Sequence, residues 1–139
     1  RKSYDNSSEL KDSLNYVKFD IIIFAISITR FESIKAKKIL EKKGITVGII
    51  NIVWLKPFRI KKRWLEALKK SRFGGIVIDD DYVNGVSKSV ANDLNLKTRK
   101  QMHTMGLNDR TAGFHKKSDN LPPDAEKICK QVEKIINKN

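Results

Sequence analysis

One cysteine, Cys129, stands in 139 residues, so no disulfide can form within the chain, and such sparse usage fits a reducing compartment. Two histidines, His103 and His115, add too little for a zinc site of the usual ligand types. Neither falls in a recognisable triad with a nucleophilic Ser or Cys. Long apolar runs are missing as well. The longest covers residues 21–26 and continues only to Ile28 with Ser27 inside it, far short of the roughly 20 residues that a membrane span needs. The opening Arg1-Lys2-Ser3-Tyr4-Asp5 has no apolar stretch behind it, so it does not read as a secretory signal, and a cytoplasmic location is expected. It also lacks an initiator Met, which is expected of a processed chain or a fragment. No Gly-x-Gly-x-x-Gly and no Gly-x-x-x-x-Gly-Lys-[Ser/Thr] occurs, which disfavours dinucleotide and P-loop functions.

Negative charge is the scarce sign. Against 16 Asp+Glu stand 29 Lys+Arg, a formal net charge of +13. A basic balance of this size fits a polyanion partner such as nucleic acid or an acidic surface. However, 22 of the cations are lysine and only 7 arginine, whereas phosphate and guanine recognition favours the planar arginine fork. Residues 32–72 hold 13 of the cations and 3 of the acids, so about +10 belongs to one stretch. Trp54, Phe58 and Trp64 interleave with its lysines, a pattern that can bind single strands. Helical spacing makes Trp64 more simply a core residue. A basic module binding nucleic acid or another polyanion through residues 32–72 is therefore the alternative reading, not the leading one.

With 40% hydrophobic residues the chain can bury a core. Asp20 leads into a continuous apolar run over 21–26, rich in β-branched residues, as in a strand buried on both faces of a parallel sheet. Thr29 and Glu32 have capping-box spacing ahead of a helix bearing Ile34, Ala36, Ile39 and Leu40, which Gly44 would stop. The cycle repeats: a strand over 45–52, a helix over 60–71, a strand over 76–78 running into Asp79-Asp80-Asp81, and a helix with Val86, Val90, Ala91 and Leu94. A strand over 99–105 follows, then a long connection over 106–120. Pro122-Pro123-Asp124 opens a last helix with Ala125, Ile128, Cys129, Val132, Ile135 and Ile136 on one face, where Cys129 reads as a small core residue. The expected fold is α/β, three layers with helices on both faces of a mainly parallel sheet.

In such sheets ligands bind where strands end and helices begin. Those positions fall at 27–30, 51–55, 79–85 and 106–110. Three carboxylates at 79–81 are a possible Mg²⁺ ligand set, although sequential residues on a strand point in different directions. A receiver-like or flavodoxin-like domain using that run is disfavoured, because receivers place paired acids after the first strand. Nothing in the chain assembles an acid, a base and a nucleophile.

Five segments in order resemble one family, the transketolase C-terminal domain. Asp20-Ile21-Ile22-Ile23-Phe24-Ala25 with Leu40-Glu41-Lys42-Lys43-Gly44-Ile45 is similar to its opening. Ile50-Asn51-Ile52-Val53-Trp54-Leu55-Lys56-Pro57-Phe58 resembles its second strand and Leu-Lys-Pro-Leu turn. Gly75-Ile76-Val77-Ile78-Asp79-Asp80-Asp81-Tyr82-Val83-Asn84-Gly85 resembles its third strand and acidic loop. Met105-Gly106-Leu107-Asn108-Asp109-Arg110 resembles a Gly-x-x-Asp loop, and Leu121-Pro122-Pro123-Asp124-Ala125-Glu126-Lys127-Ile128 the start of the last helix. Arg59 stands where the family usually has an acid, and Val86-Ser87 where it has a second glycine.

The resemblance implies a connecting segment over 1–18 and a domain over 19–139. It also implies a fifth, antiparallel strand, expected between Leu107 and His115. It further implies a parent transferase that uses thiamine diphosphate and Mg²⁺ held by earlier domains, with none bound by this domain alone. The partners it implies are those thiamine-diphosphate-binding domains or a subunit carrying them, in a homodimeric parent, with neither membrane nor nucleic acid. Asp79, Asp80, Asp81, Tyr82, Asn84, Gly85, Asp109 and Arg110 then form a candidate interface or ligand loop, with no catalytic, cofactor or metal ligand among them.

Overall fold

A computed structural model describes residues 18–52, 60–82, 85–107 and 123–138. Four strands and four helices alternate: β1 (Ile21–Ile26), α1 (Thr29–Lys42), β2 (Val47–Ile52), α2 (Lys62–Lys70), β3 (Gly75–Tyr82), α3 (Val86–Thr98), β4 (Met102–Leu107) and α4 (Ala125–Asn137). The strands pair in the order β2-β1-β3-β4, all parallel. The chain therefore builds outward from β1 to one side, then crosses back to build on the other. The expected antiparallel strand lies outside the described residues beyond Leu107, which is the last residue of β4.

The pleat of β1 sorts the core into two layers, because successive side chains take opposite faces. Ile22, Phe24 and Ile26 join Trp64, Ala67 and Leu68 of α2 and Val90, Ala91 and Leu94 of α3. Ile21, Ile23 and Ala25 join Ala36 and Leu40 of α1 and Ile128, Cys129, Val132 and Ile135 of α4. This is the expected α/β/α arrangement.

Helix ends match the sequence in some places and depart from it in others. After α1, the Ile45 N–H donates to Leu40 O at 3.1 Å and the Gly44 N–H to Glu41 O at 3.1 Å, a Schellman motif with Gly44 at φ 84°. At α4, Asp124 caps as expected, its carboxylate accepting from Lys127 N at 2.8 Å.

The capping box expected at Thr29 and Glu32 does not form. Ile28 already has helical angles, so Thr29 is the first helical residue rather than the cap. Glu32 instead accepts from Ala125 N of α4 at 3.3 Å, satisfying an otherwise orphaned N–H on the neighbouring helix. Arg99, expected to open a strand, is the left-handed residue that ends α3, and β4 begins three residues later.

Gly74 and Gly44 allow a controlled comparison. Both have positive φ, but a Cβ on Gly44 would meet nothing within 4 Å, whereas one on Gly74 would lie 2.0 Å from the backbone oxygen of Gln101. Left-handed strain costs a non-glycine residue about 1–3 kcal/mol. Gly44→Ala should lose about that much, and Gly74→Ala clearly more, because two backbone segments must part. Urea midpoints at unchanged m measure both, and equal losses would contradict the packing described at Gly74.

Candidate functional site

The strand order reverses direction between β1 and β3, and in open parallel sheets the crevice beyond the carboxyl ends at such a point is the usual ligand site. Here Thr29 joins the two strands. Its hydroxyl lies 2.7 Å from Ile26 O of β1 and 3.1 Å from Ile78 O of β3, and Thr29 is buried. A hydroxyl has one proton to donate, so the shorter bond to Ile26 dominates while the second carbonyl shares it. Ser33 adds a buried bond to Thr29 O at 2.7 Å. The start of α1 is thereby fixed over the switch point.

The acidic run lies within β3 rather than beyond it. Between the pairs Ile78↔Met105 and Tyr82↔Leu107 the register shifts, with β3 using four residues where β4 uses two. Such a bulge breaks the regular alternation and re-aims side chains at a sheet rim. Asp79 is only 4% exposed and is not an unpaired charge, whereas Asp80 is partly exposed. Asp81 and Tyr82 complete the strand, and Gly85 caps α3. The candidate residues Asp79, Asp80, Asp81, Tyr82 and Gly85 thus share one rim, while Asn84, Asp109 and Arg110 lie outside the described residues. Among the described residues no group of three His, Cys, Asp or Glu side chains comes together as a metal site.

Apolar side chains stand open on the same rim. Ile28 is 59% exposed and Phe31 63%, both at the start of α1, and Val86 at the start of α3 is also exposed. Sequence reasoning misses this feature, because Phe31 lies between Thr29 and Glu32, the two residues of the expected capping box. It misses the Thr29 bridge too, since a buried threonine at a strand–helix junction looks the same in sequence as an N-cap.

The remaining sequence candidates are structural. Cys129 is buried on α4 with its Sγ 3.6 Å from Ala36 O, and burial pushes its thiol pKa up, away from reactivity. His103 sits on β4 with Nε2 buried and without a partner among the described residues; burial, then the charge of Lys138, lowers its pKa. The basic stretch does not form one surface. α1 covers one face of the sheet and α2 the other, so the lysines of 32–72 divide between opposite sides.

Helices on both faces of an open parallel sheet, with a bulged acidic rim at its switch point, define a doubly wound α/β domain. The family model described as transketolase, C-terminal domain, matches residues 15–128, and the chain belongs to that family. Among solved structures it is similar to a split-gene transketolase described as an inactive beta4 tetramer, with TM-score 0.71 and 23% identity over 87% of this chain. It is also similar to a 2-oxoglutarate:ferredoxin oxidoreductase from Magnetococcus marinus, with TM-score 0.62 and 15% identity over 91% of this chain. At these identities the likeness is one of fold. The chain spans 39% of the first protein's length and 21% of the second's. No curated protein matches it. No helix among the described residues is long and apolar enough to cross a membrane.

Replacing Thr29 with Val keeps the shape and removes the hydroxyl from a buried site, which should cost about 1–3 kcal/mol. An unchanged urea midpoint would show that the bridge between β1 and β3 carries no weight. For His103 the fold favours the neutral ring, so the unfolded chain binds the proton more readily. The stability this group contributes is complete above about pH 6.5, the ordinary histidine value, and falls as the pH drops below it. His103→Gln should flatten that acid-side loss; a slope identical to the parent's would contradict the burial of the ring.

Proposed function

We propose that the chain is the C-terminal domain of a thiamine-diphosphate-dependent, transketolase-like enzyme. Its work there is to support assembly of the enzyme, not to catalyse alone. The observation that carries this reading is the family match over residues 15–128, on a domain spanning 39% of a split-gene transketolase chain. Ile28 and Phe31, exposed together at the start of α1 beside the acidic rim, support it, since open apolar side chains there fit a protein neighbour. On this reading the neighbour is the thiamine-diphosphate-binding domain or subunit of the same enzyme, the parent is a homodimeric transferase of the cytoplasm, and Asp79, Asp80, Asp81, Tyr82, Asn84, Gly85, Asp109 and Arg110 form the interface or ligand loop.

Thiamine diphosphate, with its Mg²⁺, supplies the parent's carbanion chemistry. The residues described here do not fit that group. The switch point has no glycine-rich phosphate loop, and on the bulged strand Asp79 is buried while Asp80 is partly exposed. No step is assigned to them.

The division of labour is tested by calorimetry. The chain titrated with thiamine diphosphate and Mg²⁺ should show no saturable heat, and micromolar binding would overturn the assignment of cofactor chemistry to its neighbours.

A further inference from the structure

At the opposite end of the sheet, where β3 and β4 begin, two connections border an open cavity of about 180 Å³ lined by Arg72, Phe73, Gly74, Arg99, Lys100 and Gln101. We infer that this cavity is a binding site for a small oxyanion of phosphate size, free or as a monoester, held by Arg72, Arg99 and Lys100. It lies apart from the carboxyl rim and does not depend on the function proposed for that rim.

The cations are placed by structure as well as by composition. Lys100 Nζ donates to Ser71 O at 2.8 Å, so the ammonium is held at the cavity and still has two N–H donors to offer. Arg72 engages Asp20 through Nε, 3.5 Å from Oδ1, which orients the guanidinium and leaves its terminal nitrogens for another acceptor. Arg99 takes φ 60°, a left-handed conformation that a long side chain seldom adopts and that is usually filled by glycine or asparagine at a helix end. Strained residues of this kind cluster at ligand sites.

The two connections are locked together. Gly75 N donates to Gln101 O at 3.1 Å, and Gly74 leaves no room for a side chain against the same carbonyl. The spacing of the two backbone segments is therefore fixed, while the exposed side chains of Arg72 and Arg99 line the cavity between them. α2 and α3 both end here, so both dipoles disfavour an anion. Binding must come from the three side-chain charges, of which the two guanidinium forks match the oxygens of a phosphate group bidentately. The acid paired with Arg72, Asp20, also accepts from Thr46 N at 2.9 Å.

The test is an amide-resolved NMR titration of the full chain with inorganic phosphate and, separately, glycerol 3-phosphate, each at constant ionic strength. Saturable shifts confined to 72–74 and 99–101 are expected from at least one of them. A response to both assigns the site to phosphate monoesters as well as the free ion, and a response to inorganic phosphate alone assigns it to the ion. Arg99→Gln, whose side chain is exposed, should weaken binding about tenfold or more at an unchanged melting temperature, while Lys62→Gln on the outer face of α2 should not. No saturable shift with either anion would overturn the inference. So would shifts spread over every lysine-bearing surface, or binding unaltered in Arg99→Gln.

Discussion

Burial of β1 on both faces is the constraint from which the other elements follow. All six of its residues are buried, β2 and β3 pair with its two edges, and its alternate side chains begin both core layers. A strand in that position has no polar face to give away. It requires helices on both sides, and with parallel neighbours it requires crossovers long enough to supply them. α1 and α4 answer one face, α2 and α3 the other. The acidic rim and the basic cavity lie at the two ends of the same sheet because β1 and β3 fix where the strands stop and start.

One buried hydroxyl anchors the rim. Thr29 ties the carbonyl ends of β1 and β3, so the first turn of α1 cannot swing away from the switch point. That turn carries Ile28 and Phe31 into solvent. Leaving them exposed forgoes the stabilisation that burial of apolar side chains otherwise gives. Meanwhile Glu32, which would otherwise cap α1, holds the start of α4. The helices on that layer are thus coupled at both ends, since Lys43 at the end of α1 also pairs with Glu133 of α4. That pair raises the Lys43 pKa through its hydrogen bond, although its exposure leaves it screened.

How much of this the sequence discloses depends on whether a feature is local. β1 is plain because its apolar run is unbroken, and α4 because its stripe runs from Ala125 to Ile136 behind an Asp124 cap. Gly44 marks the end of α1 for the same reason: a left-handed stop is a property of one residue. β3 was harder. Carboxylates at 79–81 hide the extension of the strand, and a bulge is visible only through its partner β4. The rim as a location was legible from strand–helix alternation, yet its chemistry was not, since Thr29 and Phe31 take their roles from β3 and from solvent. The basic stretch over 32–72 misled for the converse reason. Residues adjacent in sequence were carried to opposite faces by the crossover, whereas Arg72 and Arg99, distant in sequence, were brought together by the pairing of β3 with β4.

The dependence of the whole on β1 is measured most directly by native-state hydrogen exchange. Amides of residues 21–26 should exchange only through global unfolding, with an opening free energy equal to that from urea denaturation, while the first turn of α1 and strand β4 open at lower cost. Exchange of β1 at or below the opening free energy of β4 would contradict the account, because the central strand would then not be what holds the two layers and both ends of the sheet in place.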